Sequence, residues 1–340
     1  MNFELDEDTI LLRDSVRDLG KQKAEAVRGW ESARSLPADW IAELEEMGLL
    51  AMRVPEDDGG AGLSTLAALA VLQELGAFCA STALTVAVHN MLGLGLGADP
   101  DSGAGLLGLV RGVEATASSD GFVLHGVDRV AIGATTADRL AVVASVQGAL
   151  TPMLVSRTDA VSSTRSRTLG LRAADIGSAS FEGVQAAGLP GDVVTAQTEL
   201  RLALGFIAAG IGRAALAEGT GYAMERQQFG KPIAKFQAIQ WKLADLATGL
   251  DAAELMLGLA AARTDADRPA AAARATLAAV QAVTVGCSDM LQIHGGYGYT
   301  EEYAVERLYR DAKAVALYAG VRSEARATVA ESILARFAAQ

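Results

Sequence analysis

Two short stretches carry residue types that can hold an anion beside an aromatic ring. In RQQFGKPIAKFQ, Arg226 to Gln237, an arginine, a phenylalanine and a glycine close one apolar segment and a glutamine opens the next. Arg226 has the planar fork that grips a phosphate with two parallel hydrogen bonds, Phe229 offers a face to a ring, and Gln237 can pair with an amide-like edge. Taken alone, the stretch reads equally as a helix C-cap with a packed phenylalanine and a solvated arginine. In QIHGGYGY, Gln292 stands just ahead of Gly295 and Gly296. Glycines let a backbone come close to a ligand, although a lone pair of them after a helix is usually only its cap. Further on, RDAK leads to LYAGV, Leu317 to Val321, where nothing ionises.

Composition removes several other chemistries. With 29 Lys and Arg against 41 Asp and Glu, the net charge is −12, so neither nucleic acid nor an anionic membrane is an expected partner. The three histidines, His89, His125 and His294, lack metal-ligand spacing, and no metal site is expected. Cys79 and Cys287 lie in apolar surroundings and read as buried, reduced thiols, which fits a cytoplasmic protein. The opening MNFELDED is acidic where a secretory leader needs a basic start. No apolar run of about 18 residues is evident, so no membrane span is expected.

The elements that must position these residues fall into three blocks. The chain has 340 residues, 51% apolar, with mean hydropathy +0.25, ample for several packed layers. Residues 1–102 read as helical: Leu12, Val16 and Leu19 recur at helical spacing, PADWIAELEEMGLL opens with proline, and STLAALAVLQELGAF follows the break at Gly59 and Gly60. Residues 103–190 read as a small β domain, with a DG turn before FVLHGVDRVAIG and strand-like RLAVVASV, TPMLVSR and SASFEGVQ between Gly, Ser, Thr and Asp clusters. Residues 191–340 return to helix, with Ile239, Leu243, Leu246 and Leu250 in one stripe, and predict four or five long helices in an up-down bundle.

These segments, in this order, resemble the acyl-CoA dehydrogenase family. VPEDDGGAGLS, CASTALTVAVHN, DGFVLHG with TADRLAVVA, ERQQFGKPIAKFQAIQ and QIHGGYGYTEEYAVERLYRDAK carry the resemblance over essentially the whole chain. It implies a mainly α fold with an N-terminal helical domain, a middle β-barrel domain and a C-terminal four-helix bundle. It also implies FAD as cofactor and an acyl-CoA as substrate. In the family a base removes the α-proton of the thioester while a hydride from the β-carbon reaches the flavin, giving the enoyl-CoA. An electron-transferring flavoprotein is the implied acceptor.

Set against the family pattern, the chain keeps one half of a flavin site and lacks the other. Arg226, Phe229, Gln237, Gln292, Gly295 and Gly296 match residues that, in family tetramers, reach across an interface to a neighbour's FAD. The family's glutamate base stands in a Tyr-Glu-Gly-Thr turn, which here reads Tyr318-Ala319-Gly320-Val321. Ala319 takes no proton, although Tyr318 and the Ala319 backbone remain as substrate-binding candidates. The ring-binding Trp-Ile-Ser/Thr strand corresponds to Val130-Ala131-Ile132, and the flavin-contacting Leu-Thr-Glu-Pro segment has no counterpart. Some family members carry the base immediately before an arginine matched here by Arg201. That position is Leu200; Glu199 is one step and about 100° away on a helix, and Glu324 is a weaker candidate. A solvated Glu199 is the plain expectation.

The favoured reading is the base-lacking subunit of a heteromeric α2β2 acyl-CoA dehydrogenase, donating FAD contacts to a catalytically intact partner subunit. Such assemblies occur in bacterial steroid side-chain breakdown. A homo-oligomer with Glu199 as displaced base and a non-catalytic binding paralogue are the alternatives. Substrates extend from fatty acyl-CoA to a bulky steroid thioester.

Overall fold

The computed structural model describes residues 6–98, 105–158, 160–318 and 323–338. Local signals start the N-terminal helices. The Asp6 carboxylate accepts the Thr9 N–H at 2.7 Å and opens α1 (Glu7–Ala33), whose buried stripe includes Val16, Leu19 and Val27. Pro37 precedes α2 (Ala38–Glu46), which stops short of the GLL expected to extend it because Gly48 turns the chain at φ 71°. Ser64 caps α3 (Thr65–Phe78), and α4 (Ala80–Ala87) follows directly. A wide π turn over Val88–Leu92 leads into α5 (Gly93–Leu96). It turns buried Asn90 inward, where the amide takes the Met52 N–H and donates to the Leu49 and Val86 carbonyls.

The middle block is a sheet that closes on itself. Its strands are β1 (Leu107–Ser118), β2 (Gly121–Ile132), β3 (Arg139–Val146), β4 (Ala149–Ser156), β5 (Val161–Arg165) and β6 (Ile176–Gly188). They lie in the order β2-β1-β3-β4-β6-β5, and an extra β2–β6 pairing closes the ring. Among the described residues only β1 and β3 run parallel. Val110, Leu124, Leu140, Val142, Met153 and Phe181 fill the interior. β1 was not visible as a strand in the sequence, and it runs through a bulge near Gly112, φ 71°.

The bundle is built on α6 (Val193–Glu225), buried almost all round from Thr198 to Gly212. Gly205, Gly210 and Gly212 leave no room for a Cβ against α7, α3 and α8, so neighbours sit close. A short hairpin, β7 (Gln227–Gln228) and β8 (Lys231–Pro232), joins α6 to α7 (Gln237–Ala262). Then come α8 (Arg268–Ile293), α9 (Val305–Tyr318) and α10 (Glu324–Ala338). By length and hydropathy α6 and α8 are each long and apolar enough to cross a membrane, contrary to the sequence expectation of no such run. In the fold, 78% and 61% of their most apolar windows are buried in the bundle. The fold is mainly α with a central β domain.

Candidate functional site

The hairpin after α6 presents the first motif outward. Arg226 leaves the helix with its N–H on the Tyr222 carbonyl at 2.9 Å, and its own carbonyl takes the Ile233 N–H at 2.8 Å. The turn lies at Phe229 and Gly230, both left-handed at φ 52° and 77°. Phe229 is 91% exposed, so the sequence alternative of a packed phenylalanine does not hold. Its only ring contact among the described residues is edge-on to Phe236, 6.2 Å between centroids, and the Lys231 ammonium covers Phe236 at 4.5 Å. Gln237 opens α7, exposed.

The second motif ends α8. Gln292 is exposed in the last turn, and the chain continues into a 3₁₀ turn, Gly295–Tyr299, through Gly295 at φ 57°. Added Cβ atoms at Gly295 or Gly296 would meet open space, so these glycines bare backbone to solvent. The structure brings Arg226, Gly295 and Gly296 together around a cavity of about 520 Å³, shared with Tyr222, His294 and Tyr297. No acidic side chain lines it among the described residues. Phe229, Gln237 and Gln292 lie outside its lining, on the exposed surface. An open, acid-free pocket with one arginine and bare glycine backbone fits the phosphate end of a nucleotide.

The place expected to seat the flavin ring is differently built. On β2, Val130 is half-exposed while Ala131 and Ile132 are buried. The Asp128 carboxylate takes the Val130 N–H at 2.9 Å and, across the bulge, the Arg111 N–H at 2.8 Å. The Tyr318 hydroxyl donates to the Val130 carbonyl at 3.4 Å. Burial raises the Tyr318 phenol above its ordinary pKa, with Arg111 opposing and Asp128 reinforcing. Both backbone polar groups of Val130 are therefore engaged by this chain itself. That does not fit a strand free to hold the polar edge of an isoalloxazine. Ala319, the residue at the family's base position, lies outside the described residues.

Glu199 and Arg201 lie on different sides of α6. Arg201 is buried, and burial lowers its guanidinium pKa against a counter-pull from Glu324 at the start of α10. Glu199 is buried too, not solvated as the sequence suggested. Its Oε1 lies 2.7 Å from Arg268 Nη2 at the start of α8. It faces a cleft of about 470 Å³ between the ends of α6, α7 and α8. The ion pair with Arg268 holds Glu199 toward the start of α8.

Three features escaped the sequence reading. His294 packs against Tyr222 and Tyr303 beside the cavity that Arg226, Gly295 and Gly296 line. Asp128 ties the β bulge. Asp311, fully buried, takes the Leu171 N–H at 2.7 Å beside Arg307 at 3.6 Å, while neighbouring Arg310 bonds Glu31 and the Leu169 carbonyl. The RDAK segment was the only signal for this junction of α1, α9 and the sheet domain. A further cavity of about 360 Å³ lies between α2, α4 and the sheet. Its Asp175 already accepts four hydrogen bonds from Thr135 and Thr136 and serves the loop.

Comparison with known proteins agrees with this architecture. Residues 6–97 match the acyl-CoA dehydrogenase N-terminal domain, and residues 192–334 match the acyl-CoA dehydrogenase C-terminal domain. The chain belongs to the acyl-CoA dehydrogenase family. It is 31% identical to the mitochondrial short-chain specific acyl-CoA dehydrogenase of Bos taurus, over 98% of this chain and 92% of that protein. It is 30% identical to benzylmalonyl-CoA dehydrogenase of Aromatoleum aromaticum, over 98% and 100%. The bovine alignment runs over 380 positions against 340 residues here, so at least 40 positions have no counterpart in this chain. In fold it matches butyryl-CoA dehydrogenase of Megasphaera elsdenii, with TM-score 0.90 at 24% identity over 98% of this chain and 100% of that one. Glutaryl-CoA dehydrogenase of Mycobacterium smegmatis, solved with FADH2, gives TM-score 0.87 at 21% identity over 97% and 95%.

Proposed function

We propose that this chain is the base-lacking subunit of a heteromeric, FAD-dependent acyl-CoA dehydrogenase acting in lipid catabolism in the cytoplasm. Its partner is a catalytically intact subunit of the same family. One contrast carries the reading: within one chain the nucleotide clamp is open and exposed, while the Val130 backbone at the ring seat is closed by Asp128 and Tyr318. Arg226 and the backbone at Gly295 and Gly296 hold the pyrophosphate of the partner's FAD. Phe229 covers its aromatic portion, and Gln237 and Gln292 bond its polar edges. Bound FAD supplies the acceptor for the hydride leaving the substrate β-carbon. The proton comes off through the partner's base, since Ala319 has no acidic group and Glu199 is held by Arg268.

The substrate class is an acyl-CoA thioester, fatty or steroidal, with Arg201, Tyr318 and the Ala319 backbone on the substrate side. Electrons pass to an electron-transferring flavoprotein. A solved structure matching this fold is described as an electron transferring flavoprotein of Acidaminococcus fermentans, which agrees in kind with that acceptor. Absorbance at the flavin band tests the proposal. Purified alone, the chain is expected to be colourless; co-purified with its partner, it carries about one flavin per heterodimer, and Arg226→Ala depletes it. A full flavin complement in the lone chain refutes the division of labour.

A further inference from the structure

Arg201 is a buried cation with nothing to balance it. It is 7% exposed. The Thr276 hydroxyl of α8 donates to its backbone carbonyl at 2.9 Å, but its guanidinium has no hydrogen bond or ion pair among the described residues. The other buried charged side chains described all have partners. Glu31 meets Arg310 and Glu199 meets Arg268, while Asp128, Asp175 and Asp311 accept backbone N–H groups. An arginine does not shed its proton to escape this cost. Glu324, exposed at the start of α10, favours the charge without pairing with it. Burying an ion unpaired works strongly against a fold. Two observations show that the guanidinium is presented and not merely lost in the core. None of its nitrogens is sealed off, unlike Arg53 Nη1 and Arg139 Nη2, so a small group can reach them. The backbone beneath is also fixed, because Gly205, one turn on, lies too close to Leu257 and Thr276 to carry a Cβ.

We propose that Arg201 is the floor of a buried site for one carboxylate group, held by both arms of the guanidinium. The planar fork matches two oxygens of one acid, a pairing that chloride cannot make. The site offers a single positive charge, since Arg268 is paired with Glu199 and Arg53 leans on the same carboxylate. A monoanion neutralises it. A phosphate dianion would leave a negative charge in an apolar turn of α6, where Leu200, Leu202 and Leu204 are all buried. Two sources bring the same group: a free small acid, and the acyl chain of a CoA thioester that ends in a carboxylate. The site stands on the burial of Arg201 and not on the nucleotide clamp; only the second source rests on the acyl-CoA reading.

Thermal unfolding of the purified chain in sodium acetate and in sodium chloride of equal ionic strength tests the site. Acetate is expected to raise the midpoint saturably in the millimolar range where chloride does not. Arg201→Met keeps the length without the charge and abolishes the difference, while Arg201→Lys, a charge without the fork, keeps a smaller one. Isothermal titration with glutaryl-CoA and pentanoyl-CoA, whose chains end in a carboxylate and a methyl, separates the sources. Binding of glutaryl-CoA about tenfold more tightly, lost in Arg201→Met, assigns the carboxylate to the acyl chain. Equal binding of the two beside an acetate response assigns it to a free acid. An acetate response with no binding of either thioester keeps the site and overturns the acyl-CoA reading for this chain. No acetate-specific shift together with no preference between the thioesters overturns the inference, as does either effect surviving in Arg201→Met. If Arg201→Met does not fold, Arg201→Gln takes its place in both measurements.

Discussion

Replacing Glu199 by glutamine separates a structural carboxylate from a displaced catalytic base. The Glu199 and Arg268 side chains are 11% and 17% exposed and meet at 2.7 Å. A second guanidinium stands close: Arg53 Nη1 is buried and without a hydrogen-bond partner among the described residues, as is Glu199 Oε2. Burial lowers the Arg53 pKa; Glu199 opposes that and Arg268 adds to it. Glutamine keeps the shape and removes the negative charge that Arg268 pairs with and that favours the Arg53 cation. Breaking a fully buried pair costs about 3–5 kcal/mol, and the remaining rim of exposure here reduces the expectation to roughly 2–3 kcal/mol. Urea denaturation of Glu199→Gln, Arg268→Met and the double variant measures this as a coupling, with the double variant less destabilised than the two single losses combined. Turnover per folded complex with the partner should stay at the wild-type level. An unchanged denaturation midpoint together with turnover reduced by about 10²–10⁴, the scale of a positioned base, refutes the reasoning and makes Glu199 the base.

Asp311→Asn addresses the junction of α1, α9 and the sheet domain. Burial, reinforced by Glu31 and opposed by Arg307, pushes the Asp311 carboxyl up to about 6 from 3.8. The folded state thus holds this proton more tightly than the unfolded one, so its stabilisation is complete below the unfolded pKa and is lost as pH rises through about 6. Relative to Asp311→Asn, which cannot titrate, wild-type stability should fall by up to about 3 kcal/mol between about pH 4 and pH 7. Fluorescence of the Trp30–Trp40 stack, 4.9 Å between centroids, reports the unfolding, and a flat difference would refute the assignment. Phe229→Gly should stabilise the lone chain by about 1 kcal/mol, because glycine relieves the left-handed backbone at φ 52°. The same variant should lower the flavin content of the complex severalfold; an unchanged content would remove Phe229 from the clamp.

What the sequence made legible was local. The apolar stripe from Ile239 to Leu250 marked α7, and Leu246 and Leu250 are buried as helical spacing requires. The DG pair at Asp120 and Gly121 marked the β1–β2 turn, where Gly121 sits at φ 134°. β1 was hidden because glycines interrupt the alternation of LGLVRGVEA, and β5 because VSSTR has no apolar face to read. The chain reversals beside Arg226 and Gln292 were readable for the same reason as the turns: the left-handed backbone at Gly230 and Gly295 is set within a few residues. The remaining site features depend on distant partners. Glu199 meets Arg268 from another helix. Tyr318 reaches Val130 across 188 positions. His294 packs against Tyr222 and Tyr303 from other segments. No spacing rule carries such information.

Position 229 shows how far the fold alone accounts for its residues. The hairpin pairs Gln227 with Pro232 and Gln228 with Lys231, and two left-handed residues must close it. Asn-Gly or Gly-Gly meets that need with little strain. Phenylalanine there costs the fold free energy, and at 91% exposure it recovers almost none by burial within the chain. Its neighbourhood is similar: Met224 is 65% exposed, Trp241 60% and Tyr299 85%, on the segments that carry Arg226, Gln237 and the paired glycines. Large exposed apolar side chains concentrated on a few segments are a feature of interaction surfaces. The residue at 229 is then set by what covers it and not by the hairpin it closes. Flavin retention and subunit association become one equilibrium, so diluting the proposed complex should release cofactor before either chain unfolds.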